Sequence, residues 1–355
     1  MHGILFPEFD VGVRATCDSH DDVMTVPWKE GKRMGKKIAV INDLSGFGRC
    51  SLTAAIPVIS VMGAQPCPLP TAILSAQTGY PSFYCDDYTE KMEYFRREWE
   101  KMGVAFDGIY TGYVANEEQI MHIFRFLDTF HVGNPSGRGK AAERRRPFLL
   151  VDPVMGDDGR TYKMFTPKLL ERMKRLAARA DVITPNLTEL CLLTGNDFQG
   201  CGFLTRNDRF LEAIEEMARE MIAKGPHVVV VTGIGFEDPA DGVEKIGNLA
   251  VVKRGTRPQD GEEFPGRNVN GLSDGTIVSR LSAFPYIGGS FSGTGDLFAS
   301  VLAGGMARGD EVFETVELAG EFIARAMEDA AREGVERNEG ANFEKYLGML
   351  NTWES

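Results

Sequence analysis

The sequence predicts an α/β fold of three layers: a mostly parallel central sheet, helices on both of its faces, and an antiparallel edge. Short apolar runs of strand length alternate with longer helical segments, the pattern of successive βαβ units. Two late strand-like runs follow each other with no helix between them, which predicts the antiparallel edge. With 355 residues, 43% of them apolar, the chain is long enough for one large α/β domain or two medium ones.

Residues 1–33 mix Asp, His, Gly and Pro without periodicity and read as a poorly ordered extension, with a regulatory arm as the alternative. Met34 then leads into the apolar run Ile38–Ile41. The natural start is therefore expected near Met34, and residues 34–355 are expected to form the folded domain. Strands are expected at 37–42, 107–111, 148–152, 181–184 and 227–232. Helices are expected at 51–63, 87–103, 116–129, 166–179 and 207–224. Residues 247–253 and 276–284 are the edge pair, and one long helical tail, 295–334, closes the fold. From Leu52 to Cys85 no residue is charged, but Pro57, Pro66, Pro68 and Pro70 rule out a membrane-spanning helix. A buried helix followed by a buried strand fits that stretch.

The formal charge of −12 argues against a nucleic-acid partner. The one basic cluster, Arg138, Lys140, Arg144, Arg145 and Arg146, lies among Gly, Ser and Ala and reads as a solvated loop. Six cysteines without C-x-x-C spacing or clustered histidines point to reduced thiols rather than a zinc site. The first residues include Glu8 and Asp10 and no long apolar core, so no secretory leader is expected and a cytoplasmic protein is.

Four motifs carry chemistry. Ser292-Gly-Thr-Gly-Asp296 opens a helix, so its backbone N–H groups form an anion site. Asp296 in that turn suits a general base for phosphoryl transfer; equally, it suits a helix cap. Asp152 and Asp157 follow the strand Phe148–Val151, where carboxylates project into the ligand crevice and suit Mg²⁺, or form a polar turn. Asn186 and Glu189 follow Asp181–Ile183 and read either as part of a metal–phosphate site or as a capping box. Thr232 and Gly233 end the buried run Val228–Val231, where the hydroxyl either donates to a phosphate or merely ends the strand.

Taken in order, Asp152-Pro-Val-Met-Gly-Asp157, Thr184-Pro-Asn-Leu-Thr-Glu-Leu190, Val231-Thr-Gly233 and Ser292-Gly-Thr-Gly-Asp-Leu-Phe-Ala299 resemble the ribokinase-like (PfkB-type) kinases, and within them the pyridoxal/pyridoxamine kinases. The resemblance spans roughly residues 36–330. It implies that Asp296 is the catalytic base and that Gly293 and Gly295 help form the anion hole. Asp152, Asn186 and Glu189 would organise Mg²⁺ and phosphates, with Asp152 and Glu189 as the metal residues. Thr232, Gly233 and Thr294 would contact the nucleotide. Asp43, Ser75, Thr78 and Tyr113, at the ends of amino-terminal strands, would bind a vitamin B6 ring whose 5′-hydroxymethyl group accepts phosphate from ATP. Many pyridoxal kinases carry a serine where Asp43 stands and a histidine where Leu44 stands. The resemblance further implies a homodimer and leaves a monovalent cation such as K⁺ open as a second ion.

Gly46-Phe-Gly-Arg-Cys-Ser51 lies where a dinucleotide fingerprint would, but the third glycine is Ser51 and no acid occurs between Leu44 and Cys85 to hold a ribose. There is no Walker-type lysine motif. Hydroxymethylpyrimidine kinase is the runner-up, since its acceptor is also a flat heteroaromatic ring bearing CH₂OH. A non-catalytic nucleotide- or vitamer-binding protein is the reading from another class. Retention of Asp296 argues against it, because binding alone gains nothing from a carboxylate beside a phosphate.

Overall fold

A computed structural model describes residues 35–131, 146–198, 209–238, 241–255 and 275–351. The expected extension 1–33 and all of the basic cluster but Arg146 lie outside them. Arg146 is not a solvated loop residue: its guanidinium pairs with the buried Asp181 at 2.8 Å.

The chain opens with β1 (Lys36–Ser45), α1 (Ser51–Val61), β2 (Ala64–Leu74), β3 (Cys85–Asp87), α2 (Thr89–Lys101), β4 (Gly108–Thr111) and α3 (Glu117–Phe130). It continues with β5 (Phe148–Val151), a hairpin of β6 (Gly156–Asp157) and β7 (Arg160–Thr161), α4 (Pro167–Ala177), β8 (Val182–Ile183), α5 (Leu187–Thr194) and α6 (Phe210–Lys224). β9 (Val228–Glu237), β10 (Glu244–Lys253), β11 (Ile277–Pro285), α7 (Thr294–Arg308) and α8 (Val312–Glu333) follow. The main sheet has nine strands in the order β11-β10-β9-β8-β5-β4-β1-β2-β3. Its centre is parallel, and β3 at one edge and β10 and β11 at the other are antiparallel.

Strands at the centre of the sheet are apolar throughout because both faces are covered. Ile38, Val40, Tyr110 and Leu150 pack against α1, α7 and α8, while Ala39, Ile41, Ile109 and Val151 face α2 to α6. The uncharged stretch is a largely buried helix, α1, and a strand, β2, that is only half-buried, with Gln65 and Pro68 exposed, followed by a mostly exposed loop. Pro66, Pro68 and Pro70 fall at alternate positions of β2 and pair in register with β1. Their missing N–H groups therefore lie on the side away from β1, where β2 has no partner until β3 joins at Ala72.

Three expectations change. The long tail is two helices, because Gly309 (φ 90°) takes a left-handed conformation that ends α7. The strand expected to stop at Thr232 continues to Glu237. The segment expected to be helical from residue 87 first adds β3 to the sheet and starts its helix at Thr89. Among the described residues no helix is long and apolar enough to cross a membrane.

Candidate active site

Chain order reverses beside β1, with β2 on one side and β4 on the other. The crevice at such a switch point, beyond the carboxyl ends of the strands, is where open α/β sheets bind ligands. Asn42 lies there, fully buried at the end of β1. Its Oδ1 accepts from the amides of Tyr113 (2.8 Å) and Asp43 (3.0 Å). Its Nδ2 donates to Asp296 Oδ1 at 2.9 Å. Gly112 leaves the room for this, since a Cβ there would stand 2.5 Å from Asn42 Nδ2. The motif reading did not single out Asn42, because a lone Asn at a strand end has no spacing signature.

Asp296 occupies the first turn of α7. Gly293 caps that helix with φ 82°, and a Cβ there would meet Arg49 O at 2.0 Å. Only glycine permits both the left-handed turn and that approach. Burial pushes the Asp296 carboxyl up to about 6, while the Ser51 amide and Asn42 pull it back. Thr294 begins the helix, its hydroxyl turned back to Phe291 O at 3.3 Å, and Gly295 is exposed. A Cβ on Gly295 would stand 3.9 Å from Asp152 Oδ2, so the anion turn faces the carboxylate at the end of β5.

Asp152 is 7% exposed and accepts from Thr184 Oγ1 at 3.2 Å. Burial, and then the charge of Asp296, push it up to about 8. A buried carboxylate raised by burial and then by a second carboxylate is a natural seat for a hard cation.

Glu189 is 4% exposed and closes a capping box with Asn186. Its two oxygens accept from the amides of Asn186 and Met155, both at 3.0 Å. Burial, then Asp152, push its carboxyl up. Asn186 is as fully engaged: it accepts from Glu189 N at 3.0 Å and donates to Gly156 O at 2.8 Å. The capping reading is thus real, and it leaves both Glu189 oxygens engaged by backbone amides. Among the described residues no group of three His, Cys, Asp or Glu side chains is placed to hold a metal. Asp152 and Glu189 would then supply part of a Mg²⁺ shell, and phosphate oxygens and water the rest.

Thr232 and Gly233 lie at the same end of the sheet, where Thr232 bridges to Asn186. Gly233 is exposed, and its N–H donates to Asn248 Oδ1 at 3.3 Å.

Of the residues expected to bind the acceptor, Asp43 is 6% exposed, accepts from Ser45 Oγ at 2.8 Å, and is pushed up by burial. Tyr113 stands close enough that Asp43, after burial, raises its phenol. Ser75 Oγ accepts from Tyr84 N at 2.8 Å, which closes the turn between β2 and β3. Thr78 is exposed in that loop. Asn42 Oδ1 receives the amides of both Asp43 and Tyr113 and so brings their backbones together, while Ser75 and Thr78 lie on the loop between β2 and β3. The Gly46–Ser51 turn, set aside as a dinucleotide fingerprint, lies against the anion turn through Gly293.

Residues 139–341 match a family model described as phosphomethylpyrimidine kinase. A pyridoxine/pyridoxal/pyridoxamine kinase of Bordetella avium is 25% identical over 287 residues, 79% of this chain and 81% of that protein. The crystal structure of a candidate phosphomethylpyrimidine kinase from Bacteroides thetaiotaomicron, solved with pyridoxal, superposes with a TM-score of 0.72 at 34% identity and covers 90% of this chain and 96% of that one. The pyridoxal kinase of Leishmania donovani, solved with ADP and pyridoxamine, has the same fold, with a TM-score of 0.69 at 21% identity over 90% and 97% of the two chains.

Proposed function

The chain belongs to the phosphomethylpyrimidine kinase family of ribokinase-like kinases, and on that premise we propose that it transfers the γ-phosphoryl group of ATP to the 5′-hydroxymethyl group of pyridoxal, pyridoxamine or pyridoxine. The observation that carries this reading is the carboxylate of Asp296, held by Asn42 inside a helix-terminal anion turn.

Asp296 accepts the proton of the attacking hydroxyl. Its pKa of about 6 leaves it ionised at neutral pH and close to the operating value that favours proton transfer. Asn42 and the Ser51 amide both donate to this carboxylate and favour its ionised, proton-accepting form. The N–H groups opening α7 face the charge that grows on the transferred phosphoryl group. Asp152, together with Glu189, would hold Mg²⁺, which supplies charge neutralisation between the phosphates. Thr232, Gly233 and Thr294 face the nucleotide, and Asp43 and Tyr113 face the acceptor ring. The acceptor and nucleotide classes are supported by the pyridoxal, pyridoxamine and ADP bound by the relatives.

A hydroxymethylpyrimidine acceptor is the second reading. The family description favours it, as does Asp43, a buried carboxyl with a raised pKa that can exchange a proton with a ring nitrogen or amine. A panel of the three vitamers and hydroxymethylpyrimidine with ATP and Mg²⁺ decides between them. Turnover on at least one vitamer is expected. Turnover on hydroxymethylpyrimidine alone, or only on sugars or nucleosides, contradicts the proposal, and no acceptor-dependent ATP turnover at all points to the non-catalytic binding protein.

A further inference from the structure

The short turn after α8, Arg337–Glu339, lies far along the chain from the loop that follows β2 and from the anion turn, yet it is bonded to both. Asn338 Nδ2 donates to Gly79 O at 2.9 Å. Gln77, which is 9% exposed, donates from Nε2 to Asn338 O at 3.2 Å and to Ser292 Oγ at 3.4 Å, while its Oε1 accepts from Gly79 N at 2.7 Å. Ser292 N donates to Arg337 O and Arg49 N to Glu339 O, both at 3.0 Å. The packing leaves no slack. A Cβ on Gly79 would stand 2.5 Å from Asn338 Oδ1, and one on Gly340 2.9 Å from Arg49 O and 3.0 Å from Ser292 O. Phe47 and Tyr80 add a ring contact at 5.5 Å across the same seam.

We propose that Asn338 and Gln77 are positioning residues that lock the acceptor loop, residues 75–80, to the anion turn, residues 292–295, so that the acceptor and the transferred phosphoryl group are held in one register. This rests on the kinase reading for its consequence, though not for its geometry. The hydrogen bonds of these two side chains end on Gly79, on the Asn338 backbone and on Ser292. Their effect passes through Gly79 on one side and through Ser292 and the Arg337 carbonyl on the other. A shift of either loop alone would open the distance between the hydroxyl and the γ-phosphorus, and transfer between positioned groups is sensitive to such shifts.

The test uses Asn338→Asp, which keeps the shape but replaces the donor to Gly79 with a charged acceptor, and Asn338→Ala, which removes the donor without adding charge; the lock predicts the same pattern in both. Amide hydrogen exchange of the ligand-free full chain is read first. The lock predicts faster exchange, about 2- to 10-fold, the range of one ordinary hydrogen bond, in residues 75–80 and in 292–295 together. Faster exchange in 75–80 alone, or in neither, overturns it. Steady-state kinetics are read second, against a wild type that phosphorylates a vitamer. The lock predicts a lower kcat and a higher acceptor KM with an unchanged KM for ATP. Equal changes in both KM values, the mark of general loosening, or no change in kcat, overturn it. A wild type that transfers no phosphate fails the kinase reading instead, and the exchange result still decides the lock.

Discussion

At the scale of single residues the site turns on Asn42, Asp152 and Asp296. A base must be ionised to act, so kcat/KM should rise with pH through about 6, the value to which burial raises Asp296. Asn42 donates to the ionised form and lowers that value. Asn42→Ala removes a hydrogen bond to a charge, an effect of about 1.5–3 kcal/mol, and at about 1.4 kcal/mol per pKa unit the acidic limb should move up by roughly one to two units. An unmoved limb in a pH–rate profile would separate Asn42 from Asp296. Asp152 supplies a stability argument of definite sign. Its carboxyl rises from the usual 3.8 to about 8 on folding, so the folded state binds more protons than the unfolded one. Its ionisation therefore weakens the fold progressively as pH rises through that interval. Asp152→Asn, at pH 7.5 without metal, should raise the thermal midpoint by about 2–4 °C for each kcal/mol of charge burial and repulsion relieved, while removing most activity. Mg²⁺ with nucleotide should raise the wild-type midpoint more at pH 8 than at pH 5.5. A variant no more stable than wild type, or an equal gain at both pH values, would contradict this assignment.

At the scale of elements, α5 is capped by a side chain, Glu189, for which we propose a second role at the metal. Both Glu189 oxygens receive backbone N–H groups, from Asn186 and Met155. Glu189→Gln would oppose one amide donor with another in a buried place, which costs about 1–3 kcal/mol. We therefore expect a lower thermal midpoint together with a higher Mg²⁺ requirement, read by melting curves and by a metal titration of activity. A variant with wild-type values in both would leave Glu189 without either role. The sequence showed each of these elements because short-range rules govern them: Asn186 and Glu189 sit three apart, and Gly293 and Gly295 flank a helix start. Asn42 and the seam of Gln77 and Asn338 were not legible in that way. Gln77 and Asn338 are 261 positions apart, and nothing in either neighbourhood signals the other. The expectation of one tail helix failed for a local reason, since Gly309 reads as a tolerated glycine until its left-handed conformation is seen.

At the scale of the whole molecule, the parallel sheet and its antiparallel edge were legible from the alternation of apolar runs, because strands buried on both faces leave continuous hydrophobic stretches. The order of those strands was not, nor was the packing of α7 against β1 that brings Asn42 to Asp296 across 254 positions. We propose that residues 1–33 lie outside this architecture, since they carry no periodic apolar face. Deleting them should leave activity and thermal midpoint nearly unchanged, and a large loss of either would make them part of the fold. The central claim is that Asp296 acts as a base and is more than a carboxylate in the first turn of α7, which Gly293 caps without any side-chain cap bond. A first-turn carboxylate is worth typically about 0.3–1 kcal/mol of stability, whereas a general base contributes typically about 10²–10⁴-fold in rate. The direct measurement is kcat, with the KM values for vitamer and ATP, of a folded Asp296→Asn protein. The account predicts that kcat falls by about 10²–10⁴-fold with both KM values little changed, and near-normal turnover would contradict it.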